Sequence, residues 1–362
     1  MKALIEQLML IPGLSGHEDR VRRVIAAHLG TMGLASRTDR FGNLVATLPG
    51  DPGLPSVLIF AHMDQLGFIV RKVEPDGMIR VERLGGVPER ALAAQAVLLC
   101  VGEGRDVPGV IANKSHHATT PDEKYRVVPY MDLYIDAGFR SADDAATAGV
   151  RIGTPVIYLP RVMDLAGGRI AGTSVDDRAG CAVLIELARA LTGRTGGPSV
   201  HLLWSVQEEF NLRGALPVAQ TLLPDIALQI DLMLATDTPD MGYRGAADLG
   251  GGPGISLYSF HGRGTLNGVI PHPALVALFE AAAASAGLAL QRTAHTGALT
   301  DLSYVQLVGA GVAVLDVCFP MRYSHSALEV VDIADLQGLL ALLLAALSRI
   351  DADFSLNRDD YT

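Results

Sequence analysis

The sequence predicts an α/β fold: a mixed, largely parallel sheet sandwiched by helices, with a small all-β domain inserted. Three observations predict it. Short runs of Val, Ile and Leu without polar alternation read as strands buried on both faces. Longer amphipathic or apolar helical patterns lie between those runs. From about residue 68 to 170 the pattern changes to short strands punctuated by Gly and Pro.

Taken in order, "MKALIEQLMLIPG" carries Glu6 and Gln7 inside its apolar stretch, which fits an amphipathic helix ending at Pro12 better than a signal peptide. Ser15 followed three residues later by Glu18 has the spacing of a capping box that would open the next helix. "SVLIFA" (56–61) is the first buried strand. "GFIVRKVEPDGMIRVERLGG" then alternates on both sides of Pro75, Asp76 and Gly77, a hairpin signal. "AVLLCVG", "GVIAN", "MDLYID" and "TPVIYLP" follow as short strands, with one brief helix near Ser141 to Ala148. These define an inserted barrel or sandwich, 68–170, between two parts of the main domain, 1–67 and 171–362. The main domain resumes with a helix from Arg178, strands "HLLWSV" (201–206) and "IALQI" (226–230), and a helix from Pro273 to a terminating Gly287. Strand "GVAVLDV" (311–317) and a helix from Ile333 complete it.

Composition narrows the function. The formal charge of −10 supplies no basic field for phosphate backbones or anionic membranes, so nucleic acid and membrane are excluded as expected partners. The apolar run from Gly338 to Leu347 is too short to span a bilayer. Cys100, Cys181 and Cys318 stand singly in apolar stretches, which argues against a disulfide framework and for a reducing, cytoplasmic setting.

The charged residues fall at particular places. "SVLIFA" runs into His62 and Asp64, "HLLWSV" into Glu208 and Glu209, "IALQI" into Asp231, and "GVAVLDV" leads on to His325. Open parallel sheets bind ligands beyond the carboxyl ends of their strands, so these groups aim at one rim. Asp176 and Asp177 precede the helix from Arg178 and join the set. Singly, each has an ordinary explanation: a helix cap for Asp177, a turn for Asp231, a solvated loop for the glutamates. Together they are crowded anions that repel one another unless a cation is present. Nitrogen and oxygen donors without sulfur suit zinc first, then cobalt or manganese.

"AHMDQLGFIV", "DDRAGC", "VQEEFNLRGA", "IDLMLATDTPD", "IPHPAL" and "RYSHSALEVVD" together resemble the tetrahedral, TET-type glutamyl and leucyl aminopeptidases, a family of co-catalytic metallopeptidases with some members labelled endoglucanases. The resemblance implies a dinuclear site with two divalent metal ions per subunit. His62 and Asp231 would hold one ion, Glu209 and His325 the other, and Asp176 would bridge them; Glu208 would be the general base and Asp64 would orient His62. It further implies short peptides as substrates, a dimerisation role for the insert, and a homo-oligomer in which dimers build a dodecamer. A deacylase of N-acyl amino acids with the same metal chemistry, or a metal-free scaffold of this fold, is the alternative. The chain departs from the family pattern at Gln65, where Glu is usual, at "FNLRG" in place of "VGLRG", and at "GALTD" in place of "GGTDA"; none of these removes an expected ligand.

Overall fold

The computed structural model describes residues 1–261 and 266–361. Among them, twelve strands form one large mixed sheet. At its centre Val200–Ser205, Val57–His62, Ile226–Leu234 and Ala313–Arg322 run parallel, in that spatial order. Antiparallel strands flank them, Leu44–Leu48 on one side and Glu329–Asp332 on the other. The central strands are the continuous apolar runs of the sequence, and Val57–His62 is buried at every position. They need cover on both faces. One face receives the helices Val175–Leu191 and Ile333–Leu347 in the main core around Ile59, Trp204, Ile230 and Phe319. The other carries Leu58, Phe60, Leu203 and Val314 against Leu302 and Val305.

Register sets the rim. Ser205 pairs with His62, and Gln229 pairs with Phe60. Two residues beyond Gln229, Asp231 therefore comes level with His62, because strand residues two apart share a face and advance together.

The insert is a closed antiparallel barrel of six strands among the described residues, in the order Gly67–Val73, Ile79–Leu84, Ile135–Asp136, Val107–Ile111, Ala96–Leu99, Pro155–Tyr158. It has its own core around Phe68, Val70, Val97 and Val156. The strand Val162–Asp164, inside the expected insert range, instead pairs within the large sheet. The brief helix is Ala142–Thr147, capped by Ser141, whose Oγ accepts the Asp144 N–H at 3.1 Å.

The capping box expected from Ser15 and Glu18 does not form. The helix Asp19–Thr31 has no side-chain cap; Ser15 and Glu18 both turn inward toward the rim of the sheet. No helix among the described residues is long and apolar enough to cross a membrane.

Candidate metal centre

His62 ends its strand and is almost fully buried. Its Nδ1 lies 3.2 Å from the Asp64 carbonyl oxygen and 3.3 Å from Asp64 Oδ1, so the protonated nitrogen faces Asp64. That leaves Nε2 pointing outward, 3.0 Å from Asp176 Oδ1 and 4.0 Å from Glu208 Oε2. The buried Asp64 does more than face the imidazole. Its carboxylate accepts the Ser15 hydroxyl at 2.6 Å and the backbone N–H groups of Glu208 and Glu209 at 3.0 and 3.1 Å. One carboxylate thus fixes both the histidine and the paired glutamates.

The loop bearing those glutamates is pinned at several further points. Glu18 accepts the Gln207 N–H at 3.1 Å. Asn43 accepts the Val206 N–H and donates to the Gly214 carbonyl, closing the loop at its base. Gly214 is required there, since a Cβ would come within 1.8 Å of the Val206 carbonyl oxygen.

Asp176 and Asp177 interrupt the first turn of Val175–Leu191 with non-helical backbone, joined by a cis peptide. Asp177 turns away from the cavity. Its Oδ1 accepts the Gly180 N–H, as an N-cap does, and its Oδ2 accepts the His62 N–H. Asp176 points into the rim. Asp231 lies within its strand, which continues to Leu234, and is held by the Gln229 amide at 3.0 Å and by the Leu232 N–H at 2.6 Å.

His325 follows the strand Ala313–Arg322, in a left-handed conformation at φ 68°. Its Nδ1 faces the Gly86 carbonyl at 3.1 Å, and its Nε2 stands 3.6 Å from Asp176 Oδ2 and 3.7 Å from Glu209 Oε1. Gly86 belongs to the chain leaving the barrel hairpin, so the insert orients this histidine.

His62, Asp176 and Asp231 offer ligand atoms within 4.8 Å of one another, and so do Asp176, Glu209 and His325. The two sets share Asp176. Tetrahedral ligands at zinc bond lengths stand about 3.3 Å apart, so the separations of 3.0, 3.6 and 3.7 Å fit a cation in each set. The electrostatics fit as well. Burial, joined by neighbouring carboxylates, pushes Glu208, Glu209, Asp177 and Asp231 well above the usual carboxylate range. Burial would lower the His62 pKa, but Glu208, Asp176 and Asp64 outweigh it and hold it well above the usual value. A divalent cation relieves such crowding and takes a neutral imidazole as ligand.

These side chains line a cavity of about 780 Å3, whose lining also includes Leu232, Leu299, Thr300, Phe210 and Asn211. Six of the residues singled out from the sequence, His62, Asp176, Glu208, Glu209, Asp231 and His325, line this cavity, while Asp64 stands behind His62 and Asp177 turns away. Sequence reasoning missed several supports. Glu329 accepts the His325 N–H at 2.8 Å and the Asp176 N–H at 3.1 Å, tying two candidate ligands together; burial, with Asp176 nearby, raises its pKa to about 8. Its only sequence signal is a position four residues after His325. Gln229 had none, since it reads as one polar residue inside a strand. Ser15 and Glu18 had a misleading one.

A family profile described as M42 glutamyl aminopeptidase matches residues 42–342. The SgcX protein of Escherichia coli (strain K12) is 36% identical over 351 residues, spanning 96% of this chain and 94% of its own. A TET aminopeptidase from the marine sediment archaeon Thaumarchaeota archaeon SCGC AB-539-E09 superposes with a TM-score of 0.90 at 28% identity, covering 100% of this chain and 99% of its own. The Pyrococcus horikoshii TET1 peptidase, which can assemble into a tetrahedron or a large octahedral shell, superposes with a TM-score of 0.85 at 27% identity over 96% and 98% of the two chains. With the six motifs in order, the mixed sheet and barrel in place, and the profile spanning most of its length, the chain belongs to the M42 glutamyl aminopeptidase family.

Proposed function

We propose that this peptidase is a dinuclear metallo-aminopeptidase that removes N-terminal residues from short peptides. The observation that carries the reading is the pair of donor sets sharing Asp176 in the cavity, with Glu208 beside them. His62 and Asp231 would hold one ion and Glu209 and His325 the other, with zinc favoured by the donor set and cobalt or manganese compatible with it. Bound there, two divalent ions would lower the pKa of a shared water, polarise the scissile carbonyl and engage the free α-amine of the peptide.

The remaining chemistry belongs to the protein. Glu208 faces the cavity, its Oε2 4.0 Å from His62 Nε2, and with its neighbours' charge offset by bound cations it would be ionised, able to take a proton from water and return it to the leaving amine. Asp64 holds His62 in the tautomer that leaves Nε2 available, and holds Glu208 and Glu209 through their amides. Burial of these side chains keeps bulk water from competing for them.

The barrel would serve dimerisation, with dimers building a larger shell such as a dodecamer, as the assembly of the TET1 relative suggests. Three unpaired cysteines support a reducing, cytoplasmic setting. The test is hydrolysis of leucyl peptides with a free or an acetylated N-terminus after loading with zinc or cobalt. Cleavage of the free form alone is expected; release of the acyl group instead would establish the deacylase alternative.

A further inference from the structure

The loop carrying the two glutamates departs from the family pattern at its next two positions, with Phe210 and Asn211 in place of Val and Gly. Asn211 sits at φ 73°, where glycine is the usual occupant and Asn one of the few tolerated side chains. The turn therefore keeps its shape while gaining an amide. Leu212 N–H to Glu208 carbonyl at 2.8 Å and Arg213 N–H to Gln207 carbonyl at 3.3 Å hold that shape.

Both new side chains line the cavity. Phe210 is 48% exposed, a large apolar ring left open to the space beside Glu209. It is nevertheless supported from behind. The Arg213 guanidinium lies 5.4 Å from its ring centroid and 5.6 Å from that of Phe41, bridging the two rings. Phe41 in turn packs on the main core. Asn211 is exposed, and its amide makes no hydrogen bond among the described residues.

We propose that Phe210 and Asn211 form the subsite for the second residue of the peptide, the one that leaves, and give the enzyme a preference for a large apolar side chain there. The assignment rests on the aminopeptidase reading. Glu208 returns its proton to the leaving amine, so the leaving half of the peptide lies within hydrogen-bond reach of Glu208 and against the loop that bears it. The N-terminal side chain is then left to the rest of the lining, where Leu232, Leu299 and Thr300 are supplied by the Asp231 strand and the 297–301 segment. Phe210 offers the leaving residue an apolar face whose solvent exposure falls on contact, while the Asn211 amide offers a donor and an acceptor to its backbone.

The experiment compares kcat/KM for Leu-Phe, Leu-Gly and Phe-Gly in the metal-loaded wild type, Phe210→Val and Asn211→Gly, the variants restoring the family residues one at a time. Asn211→Gly suits the positive φ, which keeps the loop fold intact. The wild type is expected to favour Leu-Phe over Leu-Gly, and Phe210→Val to lower that ratio by about tenfold, the scale of a few methylene contacts in a binding pocket. The Phe-Gly to Leu-Gly ratio should stay within about twofold, while Asn211→Gly should raise KM for both leucyl peptides. A Leu-Phe to Leu-Gly ratio unchanged in Phe210→Val, or a change confined to the first-residue ratio, overturns the subsite. Failure of the wild type to cleave any of the three overturns the aminopeptidase reading and the subsite with it.

Discussion

Two adjacent glutamates sit in the turn that follows the strand Val200–Ser205 and do different work, because the turn aims their side chains apart. Glu209 turns toward His325 and Asp176, while Glu208 faces the cavity near His62. Glu208→Gln keeps the shape and removes the base. It should retain both metals and lose turnover by roughly 10²–10⁴-fold, read by metal analysis and steady-state kinetics on the same sample. Asp64→Asn weakens the group that faces His62 and anchors both glutamate amides. Metal affinity should fall by about 10–100-fold in a chelator competition titration, and unchanged affinity would show that Asp64 only packs. The legibility of this site follows from the same geometry. His62 and Asp64, two apart after an apolar run, announce a shared side of the chain. Ser15 and Glu18 show the opposite case: their spacing matches a local helix cap, but Ser15 donates instead to the buried Asp64 carboxylate and Glu18 accepts the Gln207 N–H. Sequence spacing does not reveal that competition.

At the scale of elements, the four parallel strands were legible because burial on both faces removes polar alternation. Gly254–Phe260 and Gln291–Thr296 escaped notice, since they lie beyond the central strands and their burial is mixed. The barrel was legible from turn punctuation, but its contact with the site was not. Gly86 supplies the carbonyl that faces His325, and a Cβ there would lie 2.8 Å from His325 Nδ1. Gly86→Ala should therefore displace the imidazole and weaken the ion held with Glu209, leaving the set at His62 and Asp231 loaded. One metal per chain, by mass spectrometry under native conditions, is the expected result; two metals at wild-type affinity would remove the barrel from the account.

For the whole molecule, buried acids beyond the site make stability pH-dependent. Burial raises the pKa of Asp301 and of Asp316 to about 7 and that of Asp335 to about 6. Unfolded carboxylates titrate near 4, so between about pH 4 and 7 the folded chain binds more protons than the unfolded one. This contribution is complete below the unfolded value and is lost as pH rises through the folded values. The denaturant midpoint of metal-free protein should accordingly decline from about pH 5 to 8, and Asp316→Asn should make that decline shallower. A midpoint rising with pH, equally steep in the variant, would contradict the assignment of these groups.

Metal loading speaks to the central claim most directly, since His62 from a strand end, Asp231 from within a strand, Glu209 and His325 from loops and Asp176 from a helix start converge on one cavity. The measurement is metal stoichiometry by elemental analysis of protein stripped with chelator and reloaded with zinc or cobalt, alongside cleavage of a leucyl dipeptide. Two ions per chain, with activity lost on stripping and restored on reloading, is the predicted result. Undiminished cleavage by fully stripped protein, or no ion retained after reloading, would contradict it.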